Sequence, residues 1–278
     1  MRRQRKEGSA QLHPFSPFVI LWRYRDLIWQ MTKREVIGRY RGSVLGVFWS
    51  FLTPLCMLAI YSFVFGFVMK VRWRAESQSQ IESSLILFAG LVIYGLFAEC
   101  VTRAPGLIVS NANYVKKVIF PLEIFPWVIM GAALFHVLMS LFVVIIFTIS
   151  VYGALPWTAL TLPVIIFPFV LLIVGICWFL SSFGVFLRDI TQTVGLITTS
   201  LLFLSPILYP TSAVPSSVQF VLLMNPLTFV VEQARGALLW GQVPHWVGVW
   251  YYFIGSVVVA WLGLWWFQKT RRGFADVL

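Results

Sequence analysis

The sequence predicts an all-α integral membrane protein. It comprises six transmembrane helices, an N-terminal interfacial amphipathic helix, and two short re-entrant helices between spans five and six. Three observations carry that prediction. The 278 residues are 59% hydrophobic and only 11% charged, where soluble domains run near 25% charged. Apolar runs recur that exceed the ~20 residues a helix needs to cross the hydrocarbon core of a bilayer. Ten of the 21 Lys and Arg precede residue 42, and most of the rest flank apolar runs, the distribution that orients membrane helices. The net charge of +11 therefore marks orientation in a membrane and excludes nucleic acid as the partner. The first apolar run begins far from the terminus and is too long for a secretory h-region, so no cleaved signal peptide is expected.

Residues 1–17 are basic and carry Gly and Pro, which predicts a flexible cytoplasmic tail. Over 18–41 the pattern is helical. Ile20, Tyr24, Leu27, Ile28 and Met31 share one arc, and Arg23, Asp26, Gln30, Lys33 and Arg34 the opposite one. Trp22 and Trp29 lie at the border, as in a helix resting on the inner leaflet. Glu35 falls on the apolar arc, which predicts that the helix ends or turns there. Arg34, Arg39 and Arg41 then give way at Gly42 to 28 residues without a charge. That change puts the cytoplasmic membrane surface near residues 41–43 and opens the six-span region, 42–268.

The first span covers about 44–69, with Pro54 expected to kink it by removing a backbone hydrogen bond. The polar loop KVRWRAESQSQIES follows outside. The second span, about 84–109, holds Glu99 and Arg103 at i,i+4, the spacing of a pair on one helix face. Ser110, Asn111, Lys116 and Lys117, with Pro121 as a stop, predict a short cytoplasmic helix. Between Glu123 and Arg188 no charge appears, only His136. That length requires two spans, about 122–151 and 158–187, joined by the turn YGALPW. A lone histidine at mid-span reads as a hydrogen-bonding residue between helices.

The fifth span, about 190–208, ends at SPILYP. The stretch 211–241 is apolar but broken by Pro215 and Asn225-Pro226, and it carries Glu232 and Arg235 at i,i+3. It reads as two short helices dipping in from outside, since broken backbone at membrane depth must be buried in protein or line a wet cavity. The last span, about 246–267, returns the C-terminal segment 269–278 to the cytoplasm. With both termini inside, 17 of the 21 Lys and Arg are cytoplasmic, and Lys70, Arg72, Arg74 and Arg235 are outside.

No GxxxxGK[ST] phosphate loop, HExxH or GxSxG is present, and no glycine is followed by lysine. Cys56, Cys100 and Cys177 sit in apolar runs without CxxC spacing. No catalytic residue, metal site or cofactor is therefore expected in this chain, and uphill work would draw on a partner or an ion gradient. Trp73, Trp157, Trp240, Trp246, Trp250, Tyr251, Tyr252, Trp261, Trp265 and Trp266 cluster at span ends as interfacial belts.

The run TKREVIGRYRGSVLGVFWSFLTPLCMLAIYSFVF resembles the lead-in and first helix of permease subunits of ABC-2-type polysaccharide exporters. NANYVKKVIFPLEIFP is similar to their segment after the second span. RDITQ, SPILYP and NPLTFVVEQARGALLWG are similar to their fifth-span and external-helix signatures. The resemblance covers nearly the whole chain in order and is nearest to O-antigen (lipopolysaccharide side-chain) exporters. Capsule and teichoic-acid exporters share much of the pattern.

The resemblance implies a homodimer in the bacterial inner membrane, joined to two copies of a separate ABC ATPase that binds ATP and Mg. Its substrate would be a polyprenyl-diphosphate-linked glycan. By resemblance, Leu27, Gln30, Met31, Lys33, Arg34, Glu35, Asn111, Asn113, Tyr114, Lys116 and Lys117 contact the ATPase. Arg39 and Arg41 lie where a lipid diphosphate headgroup would sit, and guanidinium grips phosphate with two parallel bonds. Spans one and five would line the channel, with Phe48, Trp49, Phe51, Leu52, Tyr61, Phe203 and Tyr209 as candidates, because flat aromatic faces bind the C–H faces of sugars without gripping one register. Pro215, Asn225, Pro226, Glu232 and Arg235 would belong to the external gate. The competing reading is an ion-coupled secondary transporter using Glu99, Asp189 or His136.

Overall fold

The computed structural model describes residues 13–69, 73, 80–116 and 120–278. Most of the expected 1–17 tail, most of the loop after the first span, and Lys117 lie outside the described residues. Among the described residues all regular structure is helical. Two helices lead in, α1 (Ser16–Arg23) and α2 (Arg25–Arg39). They correct the single interfacial helix expected over 18–41, because the backbone leaves helical geometry at Tyr24 (φ −110°, ψ 18°). Glu35 does not end α2. An arginine from a neighbouring helix takes its carboxylate, so an acid on that arc is compensated and the helix runs on to Arg39.

The first span starts in a 3₁₀ turn at Gly46–Phe48, continues as α3 (Trp49–Tyr61) and finishes in a π-helical segment, Ser62–Val68. Pro54 lies within α3, and the departure from α geometry comes about two turns later, in the π segment. Next is α4 (Gln80–Arg103). It stops at Arg103 and not at 109, because Pro105 disfavours helical backbone in the residue before it. Of the cytoplasmic helix expected over 110–121, the described residues show a 3₁₀ turn, Val109–Asn111, and α5 (Ala112–Val115). Then come α6 (Phe125–Tyr152) and α7 (Leu162–Phe186).

The fifth span is also shorter than predicted. α8 (Ile190–Phe203) has 14 residues, about 21 Å at 1.5 Å per residue, against the ~30 Å of a hydrocarbon core. The chain turns at Leu204 because Pro206 and Pro210 cannot extend the ladder. The broken stretch forms two helices, α9 (Ser216–Met224) and α10 (Pro226–Leu239). α11 (Trp246–Thr270) and a last turn, α12 (Phe274–Val277), complete the chain. Five helical stretches among the described residues are long and apolar enough to cross a membrane: Gly46–Val68, Ile81–Arg103, Leu122–Tyr152, Trp157–Phe186 and Trp246–Val277. α8 is a shorter apolar helix beside them.

α4 is the centre of the packing, touching the first span, α6, α7, α8 and α10. α7 and α11 form the tightest pair. A Cβ added at Gly263 would fall 2.1 Å from the Gly175 carbonyl oxygen, and one at Gly175 2.6 Å from the Ala260 Cα. Small residues at such crossings let two backbones meet where lipid gives no hydrophobic drive. The C-terminal segment is folded back: Arg271 pairs with Glu123 at 2.5 Å and donates to the Phe120 carbonyl at 2.9 Å, while Phe274 is fully buried.

Candidate functional site

α2 lies along α6 with Ile28, Thr32 and Val36 buried. The approach is closest at Gly131, where a Cβ would sit 2.8 Å from the Thr32 hydroxyl oxygen. This contact leaves a cleft of about 990 Å³ between α2 and the chain leaving α4. Its charged lining is Arg34, Arg39, Arg41 and Arg103 against the single carboxylate of Glu35, with Asn111 and Tyr114 opposite. The cleft is therefore an electropositive, half-polar recess.

Behind it, five ionisable side chains from three helices form one cluster. Arg39 at the end of α2 donates to Glu99 of α4 at 2.6 Å and to His136 Nδ1 of α6 at 2.8 Å. His136 Nδ1 is also 3.2 Å from Glu99 Oε2. Arg103 of α4 reaches back to Glu35 of α2. The local Glu99–Arg103 pair predicted from i,i+4 spacing exists only at 3.7 Å. Glu99 and Arg103 each take their shorter partner from α2, Arg39 and Glu35 respectively. Tyr40 meets the His136 ring edge-on at 6.1 Å. Partial burial raises its phenol above the ordinary value, against the pull of Arg39, so it stands beside the cluster as a neutral group.

The structure brings together residues assigned separately from sequence. Met31, Arg34, Glu35, Asn111 and Tyr114 line the same cleft as Arg39 and Arg41. Leu27 is half-buried against the core, and Gln30, Lys33, Asn113 and Lys116 are exposed. Arg34 and Arg41 have no carboxylate partner among the described residues. Arg39 is already held by Glu99 and His136. No sequence signal pointed to this network, since Arg39 lies 60 residues from Glu99 and 97 from His136.

The aromatic candidates divide. Phe48, Trp49 and Phe203 are exposed, whereas Phe51 packs on Phe142 at 6.1 Å and Tyr61 on Phe88 at 6.3 Å. Leu52 is half-buried, and the Tyr209 hydroxyl donates to the Phe203 carbonyl at 2.8 Å. In the α9–α10 hairpin, Pro215 precedes α9 and Pro226 is the first residue of α10. Asn225 caps α10 by accepting from the Leu227 amide at 3.0 Å, and it donates to the Ser205 hydroxyl at 2.8 Å. Arg235 is fully buried. It donates to the carbonyls of Ile86 (2.9 Å), Pro206 (2.6 Å) and Ile207 (2.8 Å), lies 3.5 Å from Glu232, and stacks 4.5 Å from the Trp73 ring centroid. Asn225 and Arg235 thus tie the hairpin to the end of α8 and to α4.

Comparison with known proteins places this geometry. The chain is 28% identical over 256 residues to an O-antigen export system permease protein of Klebsiella pneumoniae, covering 91% of this chain and 95% of that one. A protein of the same description from Myxococcus xanthus is 26% identical over 259 residues, covering 92% and 96%. The polysialic acid transport protein KpsM of Escherichia coli is 26% identical over 238 residues, covering 83% and 88%. Residues 26–239 match the family model described as ABC-2 type transporter. From the start of α2 to the end of α10, ion cluster and hairpin included, this chain belongs to the ABC-2 type transporter membrane family.

Proposed function

We propose that this chain is the membrane-spanning subunit of an ATP-driven exporter that moves a polyprenyl-diphosphate-linked polysaccharide of the O-antigen type out of the cytoplasm. It works as a homodimer with two copies of a separate ATPase, in the bacterial inner membrane, with both termini cytoplasmic. The observation that carries this reading is the electropositive cleft, which sets α2 and the chain after α4 side by side on one surface. The ATPase docks beside it through the exposed Gln30, Lys33, Asn113 and Lys116, and motion of α2 is its input. The names of the relatives supply the cargo class, and the polysialic acid transporter among them keeps a capsular glycan as the second reading.

The exposed aromatic faces of the first span and α8 support pairing of two copies around a channel, Phe48 and Phe203 being 55% and 60% exposed. The hairpin α9–α10, held by Asn225 and Arg235, closes its outer mouth. Arg39 is occupied by Glu99, so the lipid diphosphate falls to Arg41 with Arg34 beside it.

Co-expression with an ABC ATPase subunit of the same family, in a strain lacking its own exporter, tests the reading. Surface glycan should appear only with both subunits and an intact ATP site. Transport that persists without ATP but collapses with the proton gradient would favour an ion-coupled carrier instead. Arg41→Gln should lower export about tenfold, roughly 1.4 kcal/mol. Arg41→Lys should recover only part of it, because an ammonium lacks the planar fork. Normal export in both variants removes the headgroup role.

A further inference from the structure

We propose that Glu99 is the positioning residue through which α2 drives α4, and that α4 carries the motion as a rod to the α9–α10 hairpin. This rests on the reading of the chain as an ATP-driven permease. Both ends of α4 are gripped by charge from other elements. At one end Glu99 receives Arg39 at 2.6 Å, and Arg103 reaches Glu35, so two guanidinium–carboxylate pairs join α4 to α2. At the other end Arg235 of α10 donates to the Ile86 carbonyl at 2.9 Å. Gly90 leaves the space this needs, since a Cβ there would fall 2.2 Å from an Arg235 terminal nitrogen. Ile86 and Glu99 are 13 residues apart in one unbroken helix, about 20 Å along its axis.

α2 lies along α6 with Ile28 and Val36 buried, and its Thr32 hydroxyl donates to the Val128 carbonyl at 3.4 Å. Charge-assisted pairs to α4 are short and directional, and a shift of α2 must either drag α4 or break them. The two arginines balance the two glutamates, with the His136 ring beside both Arg39 and Glu99. Among these groups Glu99 alone touches both arginines and the histidine. Without it, Arg39 keeps only His136, and Arg103–Glu35 is the one pair left between α2 and α4 among the described residues.

The test uses the complete complex with its ATPase, following amide exchange in α2 and α10 with and without nucleotide beside hydrolysis and export. In the wild type, nucleotide changes exchange in both helices. Glu99→Gln keeps hydrolysis, lowers export about tenfold, within the range of known coupling energies, and weakens the response of α10 to nucleotide while α2 still responds. The double variant Arg39→Gln with Glu99→Gln removes the excess positive charge, so misfolding does not explain the same result there. An α10 that responds as fully as in the wild type in either variant, or export at the wild-type level, overturns the proposal. An ATPase-bound wild type in which only α2 responds overturns it as well and leaves the permease reading intact. A wild-type chain that recruits no ATPase overturns that reading and takes the proposal with it.

Discussion

Arg235→Ala is expected to destabilise the protein by about 3–5 kcal/mol, the usual result of removing one member of a buried charged network. The guanidinium is fully buried and donates to three carbonyls on two elements. Those of Pro206 and Ile207 lie in the turn after α8, outside any helix. Each acceptor left bare costs about 1–3 kcal/mol, and the Trp73 ring loses its cation as well. Thermal unfolding in detergent, followed by size-exclusion, should show an early transition or no folded peak. Arg235→Lys should rescue little, since one ammonium cannot serve three carbonyls set around a plane. A melting temperature unchanged in Arg235→Ala would mean that the hairpin does not depend on this residue.

Gly263→Leu is expected to have an effect of comparable size by a different route. The new Cβ meets a backbone oxygen 2.1 Å away, and a main chain cannot rotate aside as a side chain can. α7 and α11 must separate, so the cost exceeds the ~1–3 kcal/mol of ordinary overpacking. Gly255 on the same helix is the control: a Cβ there meets nothing within 4 Å. Gly255→Ala should be neutral or raise stability by up to about 1 kcal/mol through helix propensity. If both variants melt like the wild type, the close crossing of α7 and α11 is not a source of stability.

What the sequence disclosed followed from chain-local physics. Apolar runs longer than a bilayer marked five long helices. Pro215 and Asn225-Pro226 marked the break that yields α9 and α10. The arc of Ile28 and Met31 marked the face of α2 that turns inward. What stayed hidden depends on partners far apart in the chain. Arg235 and Ile86 are separated by 149 residues, and no period in the sequence links them. Glu35 looked like a helix stop because its compensating Arg103 was invisible, and Arg103 looked satisfied by Glu99 because the i,i+4 rule sees only its own helix. The length of α8 was misjudged because the residues up to 208 are apolar enough to continue, and only the prolines, by forbidding the ladder, end it at Phe203.

The shortness of α8 bears on the membrane itself. An apolar cylinder of about 21 Å in a layer some 30 Å thick is mismatched, and lipid answers mismatch by thinning around the shorter body. The Leu204 and Pro206 carbonyls at its end are already claimed by Asn225 and Arg235, so the polar tip is chemically quiet where it meets the oil. Two such helices facing each other would pinch the bilayer at one spot, and a hydrated sugar chain crossing beside them would have the least hydrocarbon to traverse.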